Sequence, residues 1–205
     1  MLSLKAARGA GLHWGLAEDA ARSARWLAQY PIPWAESLLA LLENEGDAAA
    51  SGQVNGPSAA LTSPVRLGAF ISDSASECWV GKPQSFPTVT HPIWALPPLI
   101  NVAHTLGFFA RARIAEIDIT IDPSRALQAT ASPLVLCAVP LAELRVEFSI
   151  IPIPSCGDSF PRPLFRAAAP KWAWEQLERF AFRTYVPASM ESRIKGAGAG
   201  VRDDD

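Results

Sequence analysis

Apolar positions change period four times along the chain, and those changes divide it into elements. Residues 15 to 29 carry Leu16, Ala20, Ala24 and Leu27 at spacings of three and four, widened by Ala17, Ala21 and Ala28, which predicts an amphipathic helix. Arg22 and Arg25 fall on its opposite face, Glu18 and Asp19 sit in its first turn, and Glu18 is spaced to pair with Arg22. Pro31 and Pro33 stop it. A second helix is expected from Trp34 to Glu45, with Leu38, Leu39, Leu41 and Leu42 inward and Gly46 at the C-cap, so that the two form a hairpin.

Between 47 and 63 the chain is rich in Ala, Ser, Gly, Asn and Pro without a hydrophobic period, which predicts a flexible loop. The period then falls to two. Val65, Leu67, Ala69 and Ile71 predict a strand, as does the short stretch from Cys78 to Val80. A helix is expected from Leu99 to Ala112 after Pro97 and Pro98, at some cost from Gly107 and with His104 on it. Ile114 to Asp122 is the clearest strand, with Ile117, Ile119 and Ile121 on one face and Glu116, Asp118, Thr120 and Asp122 on the other. Leu134 to Val139 reads as a central strand, and Leu144 to Ile151 alternates through Val146, Phe148 and Ile150. A last helix runs from Pro170 to Arg183 with Trp174, Leu177 and Ala181 at helical spacing.

These elements predict an α+β fold: an N-terminal helical hairpin, a mixed or antiparallel sheet covered by helices, and a C-terminal helix followed by an extended Gly-rich arm. The expected organisation is a single domain over 1–205. Within it lie a hairpin lobe at 1–46, a flexible loop at 47–63, an α+β core at 64–183 and an arm at 184–205.

Composition narrows the function classes. With 49% hydrophobic and 19% charged residues, the chain has enough apolar matter for a packed core. Its 18 Lys plus Arg against 20 Asp plus Glu leave a net charge of −2, and the basic residues are dispersed, which argues against nucleic acid as a partner. Apolar runs around Ile93 to Ile100 and Pro133 to Ala142 are broken by prolines and fall short of the roughly 18 residues that span a bilayer, so no membrane partner is expected. Cys78, Cys137 and Cys156 are odd in number and form no Cys-x-x-Cys pair, and the N-terminus lacks a secretory apolar run; both suit the cytoplasm.

Catalytic motifs are sparse. His13, His91 and His104 lie far apart with no His-x-x-x-His pattern, so no metal is expected, and no Gly-x-Ser-x-Gly elbow occurs. Glu116, Asp118 and Asp122, with Arg145 and Glu147 on an expected neighbouring strand, could oppose charges across one sheet face, although a solvated face is the simpler account.

The segment from Arg183 to Asp205, RTYVPASMESRIKGAGAGVRDDD, concentrates the remaining polar chemistry. Its Gly-Ala alternation is not a dinucleotide fingerprint, because no strand precedes it and no helix follows. Glycines at alternate positions do allow close backbone approach to an anion or another chain, and arginines add bidentate contacts. The candidate ligand-binding set is therefore Arg183, Tyr185, Ser189, Arg193, Gly196, Gly198 and Gly200. Their expected ligand is a small anionic metabolite, with or without a reaction performed on it; the sequence names no cofactor. The alternative is a non-catalytic accessory or oligomerisation module, in which the tryptophans and the arm bind a second copy or another protein.

The opening KAARGAGLHWGLAEDAARSARWL and the closing RTYVPASMESRIKGAGAGVRDDD together resemble a bacterial, mostly proteobacterial, family of proteins of unknown function and about this length. PVRLGAFISD is the most similar part of the middle. The resemblance implies no activity and no site residue. It also implies a start earlier than Met1, with more helix before Lys5.

Overall fold

The computed structural model describes residues 2–50, 63–74, 80–165 and 167–184. Among them are seven α-helices and one six-stranded antiparallel sheet, so the α+β expectation holds. The helices are α1 (Leu2–Gly9), α2 (Trp14–Leu27), α3 (Trp34–Ala50), α4 (Pro64–Ser74), α5 (Leu96–Leu106), α6 (Pro133–Cys137) and α7 (Lys171–Phe182). The strands are β1 (Gln84–Thr90), β2 (Phe109–Ile114), β3 (Ile117–Ile121), β4 (Leu127–Ala129), β5 (Leu141–Ser149) and β6 (Asp158–Ser159), in the order β1-β5-β2-β3-β4-β6.

Alternation fixes the two faces of the sheet. Ala110, Ala112 and Ile114 of β2 pair with Phe148, Val146 and Leu144 of β5 on one side and with Ile121, Ile119 and Ile117 of β3 on the other. That face is buried apart from partly exposed Ile117, and it lies under α5 and a 3-10 turn over Pro92–Ala95. The opposite face carries Arg111, Arg113, Asp118, Arg145 and Glu147. Edge strand β1 tolerates Pro87, which lacks an amide hydrogen, at a register shift between Phe86 and Val89.

Several elements depart from expectation for identifiable reasons. Residues 65 to 71 form α4, not a strand: Leu67 and Ile71, one turn apart, are buried with Val65 and Gly68. Ser63 starts this helix, accepting from the Arg66 amide at 3.3 Å and donating to the Glu45 carboxylate. α3 does not stop at Gly46 but runs on to Ala50. The helix expected to Ala112 ends at Leu106, because Gly107 is its left-handed cap at φ 69° rather than a weak interior residue.

Ile114 to Asp122 is not one strand. It holds the end of β2, a two-residue turn with Ala115 at φ 51°, and β3. Leu134 to Val139 is not a strand either: Ser132 caps α6, with its hydroxyl 3.5 Å from the Val135 amide and Pro133 pre-set for the first turn.

Buried residues from Ala6 to Phe180 form one cluster. α1 lies against α7, and Gly9 explains how closely: a Cβ there would stand 1.7 Å from the carbonyl oxygen of Phe180. The inward side of α7 is Ala173, Leu177, Phe180 and Ala181, whereas Trp174 faces outward.

Candidate functional site

A concavity of about 250 Å³ lies where α2, α4 and α5 meet the turn between β3 and β4. One face of α2 supplies Asp19, Arg22, Ser23 and Trp26 at positions i, i+3, i+4 and i+7. α4 supplies Val65, Gly68 and Ser72, while α5 supplies Pro97, Pro98, Ile100 and Asn101. Trp94 from the 3-10 turn and Arg125 from the β3–β4 turn complete the wall.

The floor is apolar and rigidly placed. Trp94 is buried, and its indole Nε1 donates to Ser37 Oγ of α3 at 2.8 Å, so the hydrogen bond fixes the ring's orientation. Gly68 lets α4 approach α5, because a Cβ there would lie 2.6 Å from Pro98 Cγ.

The rim is charged. Arg22 meets Asp19 at 2.8 Å, where the sequence suggested Glu18; Glu18 instead accepts from the Trp14 indole at 2.9 Å. Burial pushes the Asp19 carboxyl above its ordinary value; Arg22 opposes that shift, and Glu18 and Asp73 add to it.

Arg125 sits at φ 73°, a left-handed conformation that costs about 1–2 kcal/mol for a residue with a Cβ. Its turn is held from three directions. The Arg125 amide donates to Asp122 O at 2.9 Å, Asp122 Oδ1 accepts from the Ser124 amide at 2.6 Å, and His104 Nδ1 lies 2.8 Å from Pro123 O. A carbonyl oxygen can only accept, so His104 donates from Nδ1 and ties the turn to α5. Among the described residues Arg125 has no ion-pair partner.

Sequence reasoning missed this groove because it placed Arg22 on an outer helix face and never brought Arg125 to α2. The available signal was the repeat of Asp19, Arg22, Ser23 and Trp26 on one side of a helix. Of the residues proposed from the sequence, Arg183 caps α7 with its guanidinium 4.4 Å over the Phe180 ring. Tyr185, Ser189, Arg193, Gly196, Gly198 and Gly200, and with them the extended arm, lie outside the described residues.

The charged sheet face offers less. Arg145 and Glu147 are not beside β3, because β2 intervenes and sets Arg113 opposite both Arg145 and Asp118. Two ion pairs engage its arginines: Arg113 with Glu116 at 2.6 Å and Arg145 with Glu143 at 2.9 Å. The Arg145 hydrogen bond, with help from Ser85, holds the Glu143 carboxyl below its ordinary range.

Burial raises the Cys137 thiol, and the nearby Glu36 carboxylate adds to that, although a Ser37 hydrogen bond works the other way; a thiol held protonated is a poor nucleophile. No group of His, Cys, Asp and Glu suited to a metal occurs among the described residues, and no described helix is long and apolar enough to cross a membrane.

Comparison with known proteins gives one match: residues 2–61 fit the model of a family described as a protein of unknown function (DUF3726). Searches of curated proteins and of solved structures each return no match. The matched stretch contributes the α2 wall of the groove; α4, α5 and Arg125 lie beyond it.

Proposed function

We propose that the chain binds a small organic anion in the groove between α2, α4 and α5. The observation that carries this reading is Arg125: a guanidinium with no ion-pair partner among the described residues, held in an unfavourable backbone conformation beside a groove that also holds Trp26, Trp94, Pro97 and Pro98. Arg125 and Arg22 supply the charge for a carboxylate or phosphate, Asn101 and Ser72 supply neutral hydrogen bonds, and Trp26, Trp94 and the α5 prolines accept a compact apolar body. A volume of about 250 Å³ suits a metabolite rather than a dinucleotide or a peptide. The single-domain cytoplasmic protein expected from the sequence accords with this role.

The test is thermal shift against a panel of organic acids and phosphates, with native mass spectrometry of freshly purified protein. At about one hundred times Kd an anion stabilises by roughly 2.7 kcal/mol, or about 5–10 °C in Tm. Arg125→Gly is expected to abolish that shift while raising the Tm of the free protein, since glycine accepts positive φ. A binding response unchanged in Arg125→Gly removes the groove from the proposal.

A further inference from the structure

The outward face of α7 carries a pattern that matches itself when reversed. Trp172, Glu175, Arg179 and Phe182 occur at i, i+3, i+7 and i+10, a single stripe opposite the buried Ala173, Leu177 and Phe180. Trp172 is 55% exposed and Phe182 67%, which places two large apolar side chains at the ends of the stripe. Between them lie one acid and one base.

Trp172 and Phe182 are equally far from Leu177 along the helix, and so are Glu175 and Arg179. Within the chain, Glu175 meets Lys171 at 3.7 Å, and no ion pair joins it to Arg179. Arg179 has no ion-pair partner among the described residues.

We propose that α7 is a homodimer interface, in which the helix packs antiparallel on α7 of a second copy about a two-fold axis at Leu177. The axis sets Trp172 of each copy beside Phe182 of the other, and Glu175 of each beside Arg179 of the other. Every attractive contact is thereby made twice, as a self-complementary interface requires. The apolar ends supply buried area and the central charges fix direction, since a parallel alignment would set Glu175 against Glu175. α7 is firmly seated for this role, because its inner side rests on α1 at a contact that leaves no room for a Cβ on Gly9. The inference does not depend on the groove.

Sedimentation velocity of the full chain tests it, with far-UV circular dichroism to verify folding. The wild type is expected to dimerise at micromolar concentration. Glu175→Arg and Arg179→Glu should each be monomeric, and the double variant Glu175→Arg/Arg179→Glu should recover the dimer. Trp172→Ala should weaken association by about tenfold or more. A wild type that is monomeric throughout, single reversals that still dimerise, or a folded double variant that stays monomeric would each overturn the proposal.

Discussion

Two helix seams in this protein use side-chain size in opposite ways. Where α1 meets α7, Gly9 brings the backbones nearly into contact, since a Cβ there would stand 1.7 Å from the Phe180 carbonyl oxygen. Where α2 meets α4 and α5, Trp26, Trp94, Pro97 and Pro98 stand in the seam, and a cavity of about 250 Å³ remains. Small residues close one interface and give it strength, whereas bulky, stiff residues keep the other from collapsing and give it a shape. The polar side chains follow the same division: the inward side of α7 is Ala173, Leu177, Phe180 and Ala181, and the open seam is rimmed by Asp19, Arg22, Asn101 and Arg125.

Breaking the closed seam should have the largest effect. In Gly9→Ala the new methyl would lie 1.7 Å from a backbone oxygen, which no rotamer change relieves, so α1 and α7 must separate. The expected loss is about 3 kcal/mol, or roughly 6–12 °C in Tm by calorimetry. A Tm within a degree of wild type would mean that the seam is looser than described.

Gly68→Ala probes the open seam and should be milder. Its methyl would meet Pro98 Cγ at 2.6 Å, a side-chain contact, and alanine's better helix propensity offsets part of the strain. A net loss of about 1 kcal/mol is expected, together with weaker anion binding as α4 is wedged from α5. Unchanged binding in titration calorimetry would show that the groove tolerates this displacement.

The smallest effect concerns pH. Burial raises the Asp19 carboxyl in the folded protein, so the folded state binds its proton more tightly than the unfolded state does. Stability is therefore lost as pH rises from the ordinary carboxylate value through the raised one. Because Asp19 is partly exposed and meets Arg22 at 2.8 Å, the contribution is a few tenths of a kcal/mol at most. Asp19→Asn should flatten that part of the denaturation profile, and anion affinity in the wild type should rise as Asp19 is protonated. Parallel profiles for the two proteins would exclude Asp19 as the titrating group.

The helices at Trp14–Leu27, Trp34–Ala50 and Lys171–Phe182 were legible because each repeats its apolar residues over several turns, which only a helix can bury on one side. β3 and β5 were legible in the same way at period two. Short apolar runs were not: Val65 to Ile71 and Leu134 to Val139 satisfy both periods, and the capping serines Ser63 and Ser132 decided for helix. Gly107 looked like a flaw in a helix and is its end.

The sequence by itself determined the α+β class, the long helices, the alternating strands and the net charge of −2, because these depend on local periodicity and composition. Tertiary structure alone decided that a turn at Arg125 would meet the Asp19, Arg22 and Trp26 face of α2, and that Gly9 would touch Phe180. Those contacts join residues some 100 to 170 positions apart, and their geometry comes from how the layers pack, which no local pattern records.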